Sequence, residues 1–329
     1  MKVLIAPDKF RGSASAAEVA CAIAAGAESA GATTRQQPLA DGGEGTLEVL
    51  GGANRTTTVT GPLGDPVDAP WRLHRAEAVI EMASASGLEL VGGPAGNDPL
   101  AASTAGTGEL ISSAVDLGAR RIIVGLGGSA TTDGGLAALR ALYPLPRLKG
   151  VELIVACDVD TTFVDAAEVF APQKGASPAQ VALLTRRLQR LAEVYRQDHG
   201  IDVTATPGTG AAGGLAGGLL VAGGHLRPGF ELVADEVDLD GAFADVDLVI
   251  TGEGRLDDQS FHGKVVGGVV GWATDRGVPV LAIAGTVDES VTPPMPVVSL
   301  VDRYGADRSF TEPLACLTEV AAAEVADRS

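Results

Sequence analysis

The residues best placed to do chemistry fall in short glycine-rich stretches. The densest is Gly125-Leu126-Gly127-Gly128-Ser129-Ala130-Thr131-Thr132-Asp133-Gly134-Gly135. Before it, Ile122, Ile123 and Val124 read as a buried strand, and after it Leu136 to Leu142 read as a helix. Glycines let the backbone turn tightly and come close to a ligand. Thr132 or Asp133 would cap the helix, leaving Ser129, Thr131 and backbone N–H groups facing one space beyond the strand's C-terminal end. That is an anion cradle, an arrangement that binds phosphate in unrelated folds. The same letters also suit a tight strand-to-helix turn whose glycines serve packing alone.

Further stretches bring both signs of charge. Asp8-Lys9-Phe10-Arg11-Gly12-Ser13 follows a strand over Lys2 to Ala6 and precedes a helix over Ser15 to Ala30, with Ser13 or Ser15 as its cap and Glu18 in its first turn. Asp41-Gly42-Gly43-Glu44-Gly45-Thr46 follows a predicted strand at Gln36 to Ala40, and its two carboxylates would suit magnesium or a substrate hydroxyl. The most polar loop is Gly252-Glu253-Gly254-Arg255-Leu256-Asp257-Asp258-Gln259-Ser260-Phe261-His262-Gly263-Lys264, after an apolar strand at Asp247 to Thr251. Lys174, in Pro172-Gln173-Lys174-Gly175-Ala176, stands out because the chain has five lysines against nineteen arginines. Carboxylates and cations together are what a site handling metal-bound phosphates needs. Each set also reads as exposed loop ion pairs, which contribute little to stability.

Other chemistries fit less well. Gly208, Gly210 and Gly213 have the spacing of a dinucleotide fingerprint without a clear preceding strand, and Gly125, Gly127 and Ala130 lack the acidic residue that should follow. No G-x-x-x-x-G-K-[ST] run is present, Ser129 is not in a nucleophile elbow, and His74, His199, His225 and His262 have no metal-ligand spacing. His262 reads as a loop histidine. The net charge of −18 argues against nucleic-acid and anionic-membrane partners, so an anionic substrate must be met by local cations. Cys21, Cys157 and Cys316 lie far apart and suggest a reduced, cytoplasmic setting. The longest apolar run, 211–224, is too short to span a membrane, and a strand starting at Val3 leaves no room for a signal peptide.

Loops of this kind need strands to aim them. The β runs separated by helices at both ends of the chain predict an α/β doubly wound parallel sheet. Between Arg55 and Met82 the pattern changes to short alternating runs divided by Gly61-Pro62 and Gly64-Asp65-Pro66, which predict antiparallel strands and entry into a second domain. The expected organisation is therefore 1–54 with 242–329 as one discontinuous domain, and 55–241 as an inserted α/β domain with a mixed sheet.

Taken in order from about residue 3 to 285, the Ala6 to Ser13, Pro38 to Thr46, Gly125 to Gly135, Pro172 to Ala176, Gly210 to Gly214 and Thr251 to Lys264 motifs together resemble the bacterial glycerate kinase family. The resemblance implies a flavodoxin-like domain interrupted by the insert, with the active site in the cleft between them. It implies ATP- and Mg2+-dependent phosphorylation of D-glycerate, at the 2-hydroxyl, to give 2-phosphoglycerate. On that basis Gly127, Gly128, Ser129, Thr131 and Asp133 are assigned to the nucleotide, together with Lys174, Gly213, Gly214 and Lys264. Asp41, Glu253 and Asp257 are candidates for the metal or for the base that receives the hydroxyl proton, with Lys9 as a further catalytic residue. Lys9 and Arg11 would hold the glycerate carboxylate, among substrate-binding residues Asp8, Arg11, Ser13, Gly42, Gly43 and Glu44. Alternatives are a kinase for another small hydroxy acid, formation of 3-phosphoglycerate, or a nucleotide-binding homologue without turnover. A homodimer is left open. The chain departs from the family at 143–150 and 160–168, where its connections are short.

Overall fold

Runs of Val, Ile and Leu set two separate sheets in this computed structural model, which describes residues 1–261 and 263–328. The strands are, in chain order, β1 (Lys2–Ile5), β2 (Thr33–Gln36), β3 (Arg55–Thr60), β4 (Pro66–His74), β5 (Glu77–Glu81), β6 (Arg121–Gly125), β7 (Glu152–Ala156), β8 (His225–Arg227), β9 (Leu248–Leu256), β10 (Val280–Val287) and β11 (Val297–Ser299). By its contacts the chain divides into two compact units, Met1–Asp41 with Gly229–Ser329, and Gly42–Pro228.

In the first unit the sheet order is β2-β1-β9-β10-β11, all parallel, which is the flavodoxin-like order. Val3, Ile5, Leu248, Ile250, Leu281 and Ile283 alternate onto one face and are buried with Val19 and Ile23 of helix Ala16–Ser29 and Leu317 and Val320 of helix Pro313–Ala326. These two helices lie close because Gly26 has no side chain: a Cβ there would sit 2.1 Å from the Thr318 carbonyl. Ser15, not Ser13, caps the first of them. Its hydroxyl accepts from Glu18 N at 3.3 Å while Glu18 Oε2 accepts from Ser15 N at 2.9 Å. Helix Val265–Arg276 packs with Val266 against Leu256 and Ala284.

Two expectations shift here. The second strand ends at Gln36 instead of occupying Gln36 to Ala40: Gln37 N and Leu39 N still donate to Ile5 O and Pro7 O, but Pro7 has no N–H to return the next bond. The strand expected to stop at Thr251 runs on to Leu256, since β9 keeps pairing with β10 from Val249↔Val280 to Leu256↔Val287. Gly252 makes this possible: a Cβ on it would lie 2.1 Å from Ile283 O.

The second unit carries a mixed sheet in the order β3-β4-β5-β6-β7-β8, antiparallel from β3 to β5 and parallel from β5 to β8. Its core holds Trp71, Ile80, Ile111, Ile122, Val124, Val155, Phe163 and Leu215. Helix Pro178–His199 buries Leu184, Leu188, Ala192 and Tyr195, a helical stripe, and starts with a second capping box from Ser177 and Gln180. The units meet the sequence at 41/42 and 228/229, earlier than the expected 54/55 and 241/242. Residues 42–54 are tied to the second unit, where Leu126 N donates to Gly42 O and Leu47 N to Glu81 Oε1. Helix Leu239–Ala242 is tied to the first, where Arg35 Nη1 donates to Gly241 O and Ala242 O at 2.9 and 2.7 Å. Among the described residues no helix is long and apolar enough to cross a membrane.

Candidate functional site

In the first unit the C-terminal ends of β1 and β9 gather carboxylates. Asp8 follows β1 and its N–H donates to Gly252 O at 2.8 Å, so it is held beside β9. Burial raises its pKa to about 6; the neighbouring Lys9 opposes the rise and the Asp41 carboxylate adds to it. Lys9 Nζ lies 3.5 Å from Asp8 Oδ1, and Lys9 N donates to the same oxygen at 2.7 Å. Glu253, inside β9, is 9% exposed, and its pKa is pushed up to about 7. Burial is the main cause, with Asp8 and Asp257 adding to it, while the Ser260 hydroxyl and Lys264 oppose it. Ser260 Oγ also accepts from Asp257 N at 2.9 Å, so one hydroxyl ties the two acids together. Glu253 Oε1 is buried with no hydrogen-bond partner. A buried carboxylate oxygen in this state is costly unless a ligand or cation completes it.

Arg11, Gly12 and Ser13 lie exposed at the tip of a tight turn in which Phe10 pairs with Ala14, and Gly254 packs against the Phe10 and Arg11 backbone. Arg255 points elsewhere, pairing with Asp288 at 2.9 Å. Lys264 opens helix Val265–Arg276. His262 lies outside the described residues. Among the described residues no three His, Cys, Asp or Glu side chains are close enough to hold a metal ion by themselves. Asp41, Glu253 and Asp257 therefore do not form a three-carboxylate cage.

In the second unit the glycine turn after β6 meets the loop that follows Asp41. Gly125 and Gly127 are close to Gly42, Gly43 and Glu44: a Cβ at Gly125 would be 2.7 Å from Gly42 O, and one at Gly127 3.0 Å from Glu44 N. Only residues without side chains permit this approach. The turn is fixed from behind by Lys174, which is 3% exposed and donates to Ser129 Oγ and Thr131 O at 2.7 Å each. Burial lowers its pKa to about 7, partly offset by Asp133. Lys174 thus holds the turn from within the protein and is not a surface cation. Asn97 completes the clip, its Nδ2 donating to Ala130 O and Lys174 O at 3.0 and 2.9 Å. Thr131 Oγ1 and Thr132 Oγ1 are buried and unpartnered.

Asp133 proves to be an anchor. Its carboxylate accepts from Thr104 N, Thr104 Oγ1, Gly135 N and Ala137 N at 3.0, 2.8, 3.1 and 3.4 Å. The helix it starts is only Leu136–Ala141, with Gly135 as its first cap residue, so the expected helix-dipole cradle shrinks to the Gly127–Thr131 turn itself. Gly213 and Gly214 support that turn from the other side. Ala212, Gly213 and Gly214 have left-handed φ of 51°, 67° and 89°, Gly134 N donates to Gly213 O at 3.0 Å, and a Cβ on Gly213 would lie 1.9 Å from Thr131 O.

Sequence reasoning missed Asn97, Thr104 and Ser260. Asn97 and Thr104 are single polar residues outside the glycine motifs, with partners in different segments, while Ser260 lies within the Gly252–Lys264 loop without a role assigned to it. Only Ser260, three residues from Asp257, had a local signal in its spacing.

A profile described as the glycerate kinase family matches residues 3–143 and 144–304. The chain is 41% identical to the glycerate 2-kinase of Escherichia coli strain K12, covering 94% of this chain and 90% of that protein. It is 42% identical to the glycerate kinase of Bacillus subtilis strain 168, with the same coverage of both. A crystal structure from Salmonella typhimurium LT2, provisionally called glycerate kinase 2, superposes with a TM-score of 0.84 at 38% identity, covering 100% of this chain and 98% of that one.

Proposed function

The chain belongs to the glycerate kinase family and is a kinase, and from that membership we propose that it transfers the terminal phosphoryl group of ATP to the 2-hydroxyl of D-glycerate. The observation that carries this reading is Glu253, a buried carboxylate with an unpartnered Oε1 among Asp8, Asp257 and Lys264. An acid whose pKa lies near neutrality is suited to receive the hydroxyl proton as the new P–O bond forms. Lys9 and Arg11 supply the fixed cations that a small hydroxy acid needs to orient its carboxylate, with Asp8 and Ser13 beside them.

The turn of Gly127, Gly128, Ser129 and Thr131 faces the nucleotide phosphates, with Gly42, Gly43 and Glu44 packed along it. Lys174, Asp133, Gly213 and Gly214 keep that turn in shape. The acidic cluster fits a cation: Asp41 raises the pKa of Asp8, Asp8 and Asp257 raise that of Glu253, and one buried oxygen lacks a partner. Magnesium usually takes one or two protein carboxylates plus phosphate oxygens, so Asp41 and Asp257 suffice without a full cage. When bound, the ion neutralises charge on the transferred phosphoryl group. Lys264 stands next to Glu253 in charge terms and favours its ionised, proton-accepting form.

The test is purified protein with ATP, magnesium and D-glycerate, following ADP release and identifying the product by phosphorus NMR. 2-Phosphoglycerate is expected. 3-Phosphoglycerate would overturn the regiochemistry, and absence of transfer to glycerate, with transfer to another hydroxy acid in a panel, would overturn the substrate.

A further inference from the structure

The second unit contains a cavity of about 500 Å³ whose contents the reaction above does not specify. Leu100, Leu136, Leu188, Leu191 and Val194 supply apolar walls. Arg186, Arg187 and Arg190, close together on helix Pro178–His199, also line it, a concentration of positive charge in a chain of net charge −18. Arg187 is steadied by donating to Leu100 O at 3.0 Å, and Arg190 pairs with Glu193 at 2.7 Å. The remaining polar lining is Thr132 and Asp133. Asp133 is an acid in this lining, and its oxygens are committed to Thr104, Gly135 and Ala137. Thr132 is 2% exposed, and its Oγ1 has no hydrogen-bond partner. An unmet hydroxyl at that depth costs free energy in the empty state, and a ligand group could relieve it.

We propose that this cavity is a binding site for a small amphipathic anion, its apolar body against the leucines, its negative group at Arg186 and Arg187, and a polar atom hydrogen-bonded to Thr132. Apolar walls with a few placed polar groups are the general form of a small-molecule site, and arginine is the cation suited to a planar or oxyanionic partner. The base and phosphate of a nucleotide share this chemistry with a free aromatic or branched organic acid. Thr132 directly follows Thr131, so an occupant bears on the turn assigned above to phosphates. The nucleotide source rests on the kinase reading; the site itself does not.

The probe is 1-anilinonaphthalene-8-sulfonate, an anion on an aromatic body, titrated by fluorescence into the full chain, with circular dichroism checking that each variant is folded. Saturable binding near one equivalent is expected, weakened tenfold or more by Arg186→Glu and several-fold by Thr132→Val. Because Thr132→Val removes an unsatisfied hydroxyl, its Tm should be unchanged or higher, which separates lost binding from lost fold. ATP displacing the probe would identify the nucleotide as the source, and ATP binding alongside it would identify a separate acid. Equal affinity in wild type and Arg186→Glu, or non-saturable binding, would overturn the proposal. Failure of glycerate phosphorylation would overturn the kinase reading while leaving an arginine-dependent probe site intact.

Discussion

Glu253 and Lys174 are both buried ionisable residues, and their surroundings differ. Glu253 has an oxygen left over, which suits a reacting group, whereas Lys174 donates to Ser129 Oγ and Thr131 O of its own chain. Replacing Glu253 by Gln keeps the size and the Ser260 contact but removes the proton acceptor. We expect kcat to fall by about 10²–10⁴ with ATP affinity little changed, and near-normal turnover would remove Glu253 as the base. Asp257→Asn should also cost orders of magnitude in turnover, but its loss should be partly recovered at high magnesium if its task is to hold the ion. Lys174 makes a prediction about stability. Its pKa is about 7 in the fold and 10.5 when unperturbed, so between these values the unfolded chain binds more protons than the native one. The contribution of Lys174 to stability therefore rises with pH across that window and is smallest below pH 7. The slope is at most about 1.4 kcal/mol per pH unit. Two acceptors, Ser129 Oγ and Thr131 O, match the two N–H bonds of a neutral amine. Urea midpoints of wild type and Lys174→Met between pH 7 and 10 should diverge in favour of wild type as pH rises; a constant difference would mean that the buried lysine stays charged.

The glycine turns are where element and site become the same problem. Gly213→Ala would press a Cβ against Thr131 O from a backbone at φ 67°, so a loss of more than about 2 kcal/mol is expected from thermal melts, together with weaker nucleotide binding. Ala212, beside it, already holds φ 51° with a side chain. Ala212→Gly should relieve left-handed strain and stabilise by up to about 1 kcal/mol; a lower Tm would mean that chain entropy outweighs the strain. These positions also show what could be read in advance. The alternating runs from Arg55 to Met82 led directly to β3, β4 and β5, and the choice of Ser13 or Ser15 with Glu18 narrowed the first cap to two residues, of which the structure uses Ser15, because period-two patterning and capping are local. The extension of β9 was not legible: Gly252, Glu253 and Arg255 have the composition of a loop, and only pairing with β10, a segment far along the chain, makes them strand. The burial of Lys174 was hidden for the same reason. A lysine between proline and glycine looks solvated until Ser129 and Thr131, some forty residues away, are folded over it. The cluster of Asp8, Asp41, Glu253 and Asp257 lies between these cases. Its loops were marked by their letters, but their mutual charge effects depend on β1 and β9 being neighbours in the sheet.

At the scale of the whole molecule, the proposed function asks a chain of net charge −18 to hold two anions, a nucleotide and a hydroxy acid. Long-range electrostatics opposes both, so each must be captured by short-range donors, and the donors proposed above fall in two compact units. The turn 127–131, with Gly42 and Gly43 against it, belongs to Gly42–Pro228. Lys9, Arg11, Asp8 and Glu253 belong to Met1–Asp41 with Gly229–Ser329. Each unit has its own sheet and its own core, so ligand binding to one should stiffen local amides there without requiring order in the other. Hydrogen exchange followed by mass spectrometry reads this directly. A non-hydrolysable ATP analogue with magnesium should slow exchange in peptides covering 126–132 and 211–214, the latter because Gly213 packs on Thr131. D-Glycerate alone should slow exchange in peptides covering 8–13 and 251–257. Amides already bonded in the free protein, such as Ala130 to Ser86 O and Gly134 to Gly213 O, should change least, so the effect concentrates at the tips of the turns. If glycerate protected 126–132 and the nucleotide protected 8–13, the assignment of the two substrates would be reversed, and with it the role of Glu253 as the proton acceptor.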